Sequence, residues 1–477
     1  MQKIQKTLLK EAQEYAGKFL HAINESCTQF HAVNYCKQRL AESGFNEIRE
    51  VDQWNLESGK SYFFTRNNST LVAFIVGNQA AQNGVSLYKI IGCHTDSPVL
   101  KLAPVTKMDN RGGYQQLAVQ LYGGGLWHTW FDRDLTLAGK IIVNDNGKLV
   151  SRYWRANEPI LKVPTLAIHL TERSGTFEPN KETHTKPILA SSIVDQLFGE
   201  DIESLSTEQD KYRVEEKHFK TLMNRISGDL GIDRTQIVDF ELNVIDSQPA
   251  QLVGLHQEFV SSPRLDNLGS SLVSLDAIID THQSPKDNAE ISMIMLFDHE
   301  EIGSQSAQGA DSNMAAEITL RIYESLSPQY KMSEYFRAIR QSFLLSADMA
   351  HGLHPNYQEK HQALHQPKIH SGIVLKNNAN QRYATDIVSG TIVKHIAEAS
   401  GVPMQDFIVK NDSACGSTIG PMMAAKAGLK TADIGAPMLG MHSIRETCGV
   451  IDLVYYRRLF NGFFKEYSSI SSTLLHE

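Results

Sequence analysis

The chain has 477 residues, 41% hydrophobic and 21% charged, an ordinary soluble globular composition whose length calls for two domains rather than one core. A formal net charge of −8 excludes a surface that recruits nucleic acid or anionic membrane, so an acidic substrate needs local cations rather than a global field. Five cysteines, odd in number and without C-x-x-C spacing, read as reduced thiols of a cytoplasmic protein, and no apolar stretch approaches the roughly 18 residues of a spanning helix.

The opening Met1-Gln2-Lys3-Ile4-Gln5-Lys6 reads as a charged amphipathic helix rather than a signal peptide. Apolar residues at helical spacing predict helices over 3–22 and 32–43, and strands follow at 61–64, 69–76 and 86–91, with turns at Gly77 and Gly84. After Pro98 the character changes to β-like pieces at 116–121, 138–143 and 149–154, with a turn at Asn144-Asp145-Asn146-Gly147, and then a polar stretch over 171–235. The α/β rhythm resumes with a helix at 272–281 and strands at 291–297, 342–346 and 431–434. The expected architecture is α/β: a three-layer αβα domain made of 1–98 and 250–477, interrupted by an inserted, mostly β domain over 99–249.

The strand at 291–297 runs into Asp298-His299-Glu300-Glu301, and adjacent carboxylates at the end of a buried strand are hard to accommodate without a cation. Other strand ends repeat the pattern. Residues 86–92 lead into Cys93-His94-Thr95-Asp96, 342–346 into Ala347-Asp348, and 431–434 reach Met441-His442-Ser443 within one loop; Asp266 precedes a helix. Ligands of open α/β sheets bind outside the carboxyl ends of the strands. Two His with several carboxylates suit a zinc or mixed zinc/manganese pair better than an all-oxygen magnesium or calcium site. Asp266 fits as a bridge, and Glu300 as general base for a water between the metals, next to the ligand Glu301. Asp96, two residues past His94, can accept the second imidazole N–H and orient the ring. Taken singly, a His-x-Asp is ordinarily a satisfied pair, a Glu-Glu a solvated helix start, and Asp266 a helix N-cap; the constellation, not any member, carries the reading. Cys93, beside His94 in a strand, should face the other way.

Cys93-His94-Thr95-Asp96-Ser97-Pro98, Ser262-Pro263-Arg264-Leu265-Asp266-Asn267-Leu268, Asp298-His299-Glu300-Glu301-Ile302-Gly303-Ser304, Ser346-Ala347-Asp348-Met349-Ala350-His351 and Met441-His442-Ser443-Ile444-Arg445-Glu446 together resemble the aspartyl aminopeptidase family of di-metal exopeptidases. The segments Tyr122–Trp127, Trp130–Gly139 and Asn411–Pro421 match as well, in order along nearly the whole chain. The resemblance implies that His94 and Asp348 complete one metal site, Glu301 and His442 the other, with Asp266 bridging and Glu300 as base. It implies two divalent ions per subunit, Zn2+ with Mn2+ or Co2+ possible at one site. It also implies that the insertion is a dimerisation domain, that the assembly is a dodecamer, and that His169 reaches the active site of a neighbouring subunit. From the residues alone, His169 reads as a buried histidine on a strand. The family's substrate contacts fall on His351, Lys376 and Tyr383, and the segment carrying the last two also supplies Arg382, so peptides with N-terminal Asp or Glu are the expected substrates. His299 departs from the Asn of some relatives. The rivals are a neutral, Leu-type aminopeptidase, a related di-metal deacylase or carboxypeptidase, and a non-catalytic assembly or cargo protein with structural metals.

Overall fold

In the apolar run before Glu300, alternate side chains enter different cores. Ile294 and Leu296 pack into one buried cluster, while Met293, Met295 and Phe297 pack into another on the opposite face. Each such side chain contributes about 1.5–3 kcal/mol on burial, so a strand apolar on both sides is stable only between two layers. The computed structural model describes residues 6–171, 177–198, 214–284, 287–327 and 331–473. Within it the chain divides into two compact units, one formed by 1–97, 250–441 and 445–477, the other by 98–249 and 442–444.

The first unit is built on a nine-stranded sheet. Its strands are β1 (Asn46–Glu47), β2 (Ser61–Arg66), β3 (Thr70–Val76), β4 (Leu87–His94), β5 (Glu290–Phe297), β6 (Phe343–Ala347), β7 (Ile373–Lys376), β8 (Met404–Phe407) and β9 (Lys430–Gly435). They lie in the order β1-β2-β3-β5-β4-β6-β9-β7-β8, and the central β5, β4, β6 and β9 are mutually parallel. Helices Lys6–Glu25, Gln29–Glu42, Leu265–His282, Ile387–Ala399 and Val450–Thr473 cover one face; Met314–Leu326, Met332–Gln341 and Ile419–Ala427 cover the other. The αβα layering is therefore as expected. The helix ends follow local chemistry: Asp386 accepts from Ser389 N at 2.7 Å and Ser389 Oγ accepts from Asp386 N at 3.0 Å, a reciprocal cap that starts Ile387–Ala399. A small second sheet, Gln251–Val253, Phe259–Ser262, Glu446–Gly449, Pro437–Leu439 and Ala350–His351, carries the chain toward Asp266 and His351.

The second unit is β-rich. Strands Val99–Lys107, Tyr114–Tyr122, Ile188–Ser191, Leu161–Lys162, Asp134–Asp145 and Ile237–Asp246 form a ring closed by the pairing of the last two, and Lys148–Arg155 pairs on Asp134–Asp145 from outside. The hairpin between those two turns at Asn146 and Gly147, both left-handed (φ 53° and 83°), the geometry that Asn-Gly favours. Helix Lys220–Leu230 buries Leu222, Met223 and Ile226 in the same core as Trp127, Trp130 and Trp154. Part of the polar stretch at 171–235 lies outside the described residues. One expectation fails here. His169 sits in an exposed single 3-10 turn, Ile168–Leu170, not buried on a strand. Its apolar neighbours Leu166, Ile168 and Leu170 are themselves exposed, so their alternation marks a surface and not a core.

Candidate metal centre and active site

Because β4, β5, β6 and β9 are parallel neighbours, their carboxyl ends open on one edge of the sheet, and His94, Glu300, Glu301 and Asp348 arrive there from three of them. Cys93 points away, its Sγ buried 3.9 Å from Ser274 Oγ on helix Leu265–His282. His94 Nδ1 lies 3.0 Å from the Asp96 carbonyl oxygen. A carbonyl can only accept, so Nδ1 carries the proton and Nε2 presents a lone pair. That lone pair faces Asp266 Oδ1 at 3.4 Å, Asp348 Oδ1 at 3.6 Å and Glu300 Oε2 at 3.7 Å. Acceptors facing acceptors in a buried site require a cation between them. Ligand atoms of His94, Asp266 and Asp348 lie within 4.8 Å of one another, as do those of His94, Glu300 and Glu301, and Asp348 Oδ1 is buried with no hydrogen-bond partner among the described residues. One imidazole nitrogen among carboxylate oxygens fits a divalent ion of the zinc type.

Without an ion, the same carboxylates favour a proton on His94 Nε2 in its place. Burial alone lowers the His94 pKa, but the surrounding carboxylates, Glu300 foremost, outweigh it and hold the ring well above the usual histidine value. Burial pushes Glu300 up to about 8; His94 opposes this, and Asp348, Asp96 and Asp266 add to it.

The Asp96 carboxylate meets more than the His94 ring. Its Oδ1 is 3.4 Å from His94 Nδ1, farther than the Asp96 carbonyl, while its two oxygens accept from Glu300 N and Glu301 N, each at 3.1 Å. It clamps the turn that carries the two glutamates. That turn is strained: His299 and Ser304 are left-handed (φ 67° and 62°), and His299 Nδ1 bonds Ser306 Oγ at 2.7 Å across it. Asp266 is fixed by its backbone, through Asp266 N to Glu446 Oε2 at 3.0 Å and Ser97 Oγ to Asp266 O at 2.6 Å.

Lys376 is buried, and its ammonium donates to the Met349 carbonyl at 2.7 Å and stands 3.5 Å from Asp348 Oδ2. It holds Asp348 in place from behind. Next to it in the sheet, Asp433 of β9 pairs with both Ser346 of β6 and Lys376 of β7. Its carboxylate accepts from Ser346 Oγ, Thr418 Oγ1 and Ala384 N, each at 2.6 Å. Burial raises the Asp433 pKa against these donors and Lys376. A Cβ at Gly420 would collide with this carboxylate, so the start of helix Ile419–Ala427 needs glycine. Asp433 thus ties the segments bearing Asp348 and Tyr383. Sequence reasoning passed over it, although a lone Asp inside an apolar strand was the available signal. Asp433→Asn turns an amide donor toward one of these donors and is expected to cost about 1–3 kcal/mol, read as a lower urea midpoint at unchanged m. An unchanged midpoint would show that the carboxylate is dispensable.

Tyr383 and His351 line a cavity of about 300 Å3 whose wall also holds Lys360, Lys410, His354 and His361 and, among the described residues, includes no carboxylate. Burial raises the Tyr383 pKa, with its Cys415 neighbour adding to this. The His351 imidazole is open to water but walled in; that desolvation, with the Lys376 charge behind it, holds its pKa below the usual value. In the second unit, His442 is left-handed (φ 65°), and its Nδ1 donates to Gly124 O at 3.0 Å, so its Nε2 likewise presents a lone pair.

A His-carboxylate centre with two adjacent glutamates at the parallel strand ends of a three-layer αβα sheet is the arrangement of a metal-dependent hydrolase. Residues 22–464 match the model of the aminopeptidase I zinc metalloprotease family (M18), and the chain belongs to that family. It is 44% identical over 476 residues to a protein of Ricinus communis named probable aspartyl aminopeptidase, covering 95% of this chain and 96% of that one. Among solved structures, it resembles a chain of the Ape4 and Nbr1 complex with TM-score 0.92 and 39% identity, covering 100% of this chain and 90% of that one. The S. cerevisiae mApe1 dodecamer gives TM-score 0.82 at 27% identity, with coverage of 97% and 98%. No helix among the described residues is long and apolar enough to cross a membrane.

Proposed function

We propose that this aminopeptidase removes acidic residues, Asp or Glu, from peptide N-termini. The carrying observation is the cavity beside the centre: Lys360, Lys410 and three histidines line it with no carboxylate among the described residues, in a chain whose net charge is −8. A buried acidic side chain needs such positioned donors. The names of the relatives support the same reading.

His94 and Asp348 would hold one divalent ion and Glu301 and His442 a second, with Asp266 available to both; Zn2+ is the expected metal, and Mn2+ or Co2+ would be accepted at one position. When bound, the ions polarise the scissile carbonyl and acidify a water. Glu300 takes the proton of that water on its carboxylate and returns it to the leaving amine. Asp96 holds Glu300 at its station, while Lys376 and Asp433 hold Asp348. His351 and Tyr383 face the substrate and donate to its developing oxyanion or side chain. The inserted unit serves dimerisation within a larger, dodecamer-type homo-oligomer in the cytoplasm, and the exposed His169 contacts substrate in a neighbouring subunit.

Hydrolysis of Asp-, Glu-, Leu- and Ala-p-nitroanilide with and without Zn2+, Mn2+ and Co2+ tests this. Metal-dependent turnover confined to the acidic pair is expected. Turnover favouring Leu keeps the di-metal aminopeptidase and discards acid recognition.

A further inference from the structure

Beyond the cavity of His351 and Tyr383 lies a second one of about 690 Å3, and the two share Lys410, Ser413 and Cys415 in their walls. Of the residues named above for metal or substrate, two line the outer cavity: Lys410, which the inner cavity shares, and Arg382, which the sequence offered for an acidic N-terminal residue but which is absent from the wall of the inner cavity. The outer wall is made by the loops 377–382 and 408–417 and carries five side-chain amides: Asn377, Asn378, Asn380, Gln381 and Asn411. Among the described residues no carboxylate lines it, and the charges present are Arg382 and Lys410. Lys410 is partly engaged, 3.4 Å from Asp412 Oδ2 and 3.1 Å from the Glu359 carbonyl. Arg382 is different. Its backbone is fixed, with its carbonyl accepting from Ser417 Oγ at 3.2 Å, but among the described residues its exposed guanidinium makes no hydrogen bond or ion pair.

We propose that this outer cavity is a subsite for an acidic residue downstream of the scissile bond, at the third or fourth position of the peptide, read by the Arg382 guanidinium. The chemistry of the wall selects the occupant. Carboxamides donate to and accept from an extended peptide backbone, the lack of aromatic walls disfavours a nucleobase, and an unpaired guanidinium matches a carboxylate in two-pronged geometry. The two cavities share a wall, so an extended chain that begins in the inner one, advancing about 3.3 Å per residue, continues into the outer one within a few residues. This rests on the aminopeptidase reading and deepens it: the enzyme reads charge beyond the residue that it removes.

The test compares kcat/KM for Asp-Ala-Ala-Ala with the same peptide carrying Glu or Gln at position two, three or four, in wild type and Arg382→Gln. Wild type should prefer Glu over Gln at position three or four by about threefold to fivefold, and the preference should shrink as KCl is raised. Arg382→Gln should abolish the preference while leaving Asp-p-nitroanilide turnover unchanged, which also certifies its fold. The same ratio should appear in the affinities of Glu300→Gln protein for the uncleaved peptides. A missing preference, one confined to position two, or one that survives Arg382→Gln overturns the subsite alone. Wild type that fails on Asp-p-nitroanilide overturns the underlying reading, and the subsite with it.

Discussion

Glu300→Gln should fold, keep its metal and lose turnover by about 10²–10⁴-fold, the range that a positioned general base supplies. Glu300 and Glu301 both stand within ligand distance of His94, so geometry alone leaves two assignments for the pair. The substitution separates them. Gln keeps the shape and the backbone N–H that Asp96 holds at 3.1 Å, but its amide cannot take up a proton. If Glu300 is the base, metal content by plasma emission stays at the wild-type level while kcat collapses and KM moves little. Glu301→Gln should do the reverse, shedding metal first. Loss of metal from Glu300→Gln equal to that from Glu301→Gln would make Glu300 a ligand and leave the reaction without its base. A Glu300→Gln protein with normal turnover would reject the hydrolytic mechanism.

Local signals carried most of the centre. The apolar run of β5 followed by Glu300-Glu301, and His94 two residues before Asp96, are adjacent in sequence, so strand periodicity places them without knowledge of the fold. Asp348 followed from the same argument at the end of β6. What stayed hidden depends on which backbone group a side chain meets across the sheet. Asp96 was read as a partner of His94 because two residues apart in a strand point the same way; its bonds to Glu300 N and Glu301 N join residues about two hundred positions apart. Lys376 was read as a substrate cation, and nothing in a basic loop indicates that its ammonium is buried against Asp348 and the Met349 carbonyl. The cations that do line the cavity, Lys360 and Lys410, lie in segments without periodicity. His169 failed for a related reason: alternating apolar residues mark a surface that needs covering, and sequence does not tell whether the same chain covers it.

Asp96→Asn should weaken Zn2+ binding and lower kcat/KM together, each by about 10–100-fold, the usual cost of losing the partner that orients a metal ligand. The variant keeps some of the Asp96 bonds and loses others. The Asp96 carbonyl, which accepts from His94 Nδ1 at 3.0 Å, is backbone and survives any substitution, so the His94 tautomer is preserved. The carboxylate accepts from two adjacent N–H groups, and a carboxamide offers one acceptor and one donor, so either Glu300 N or Glu301 N meets an N–H instead. The turn held by left-handed His299 and Ser304 then loses the bond that offsets its strain, and the two glutamates lose their fixed separation. Titration of the metal-free protein against a chromophoric zinc chelator reads the affinity, and a thermal melt of the zinc-loaded protein reads its stability. A fall in affinity and activity without a comparable fall in Tm assigns Asp96 to positioning. Values within twofold of wild type would show that the Ser306–His299 bond holds the turn by itself.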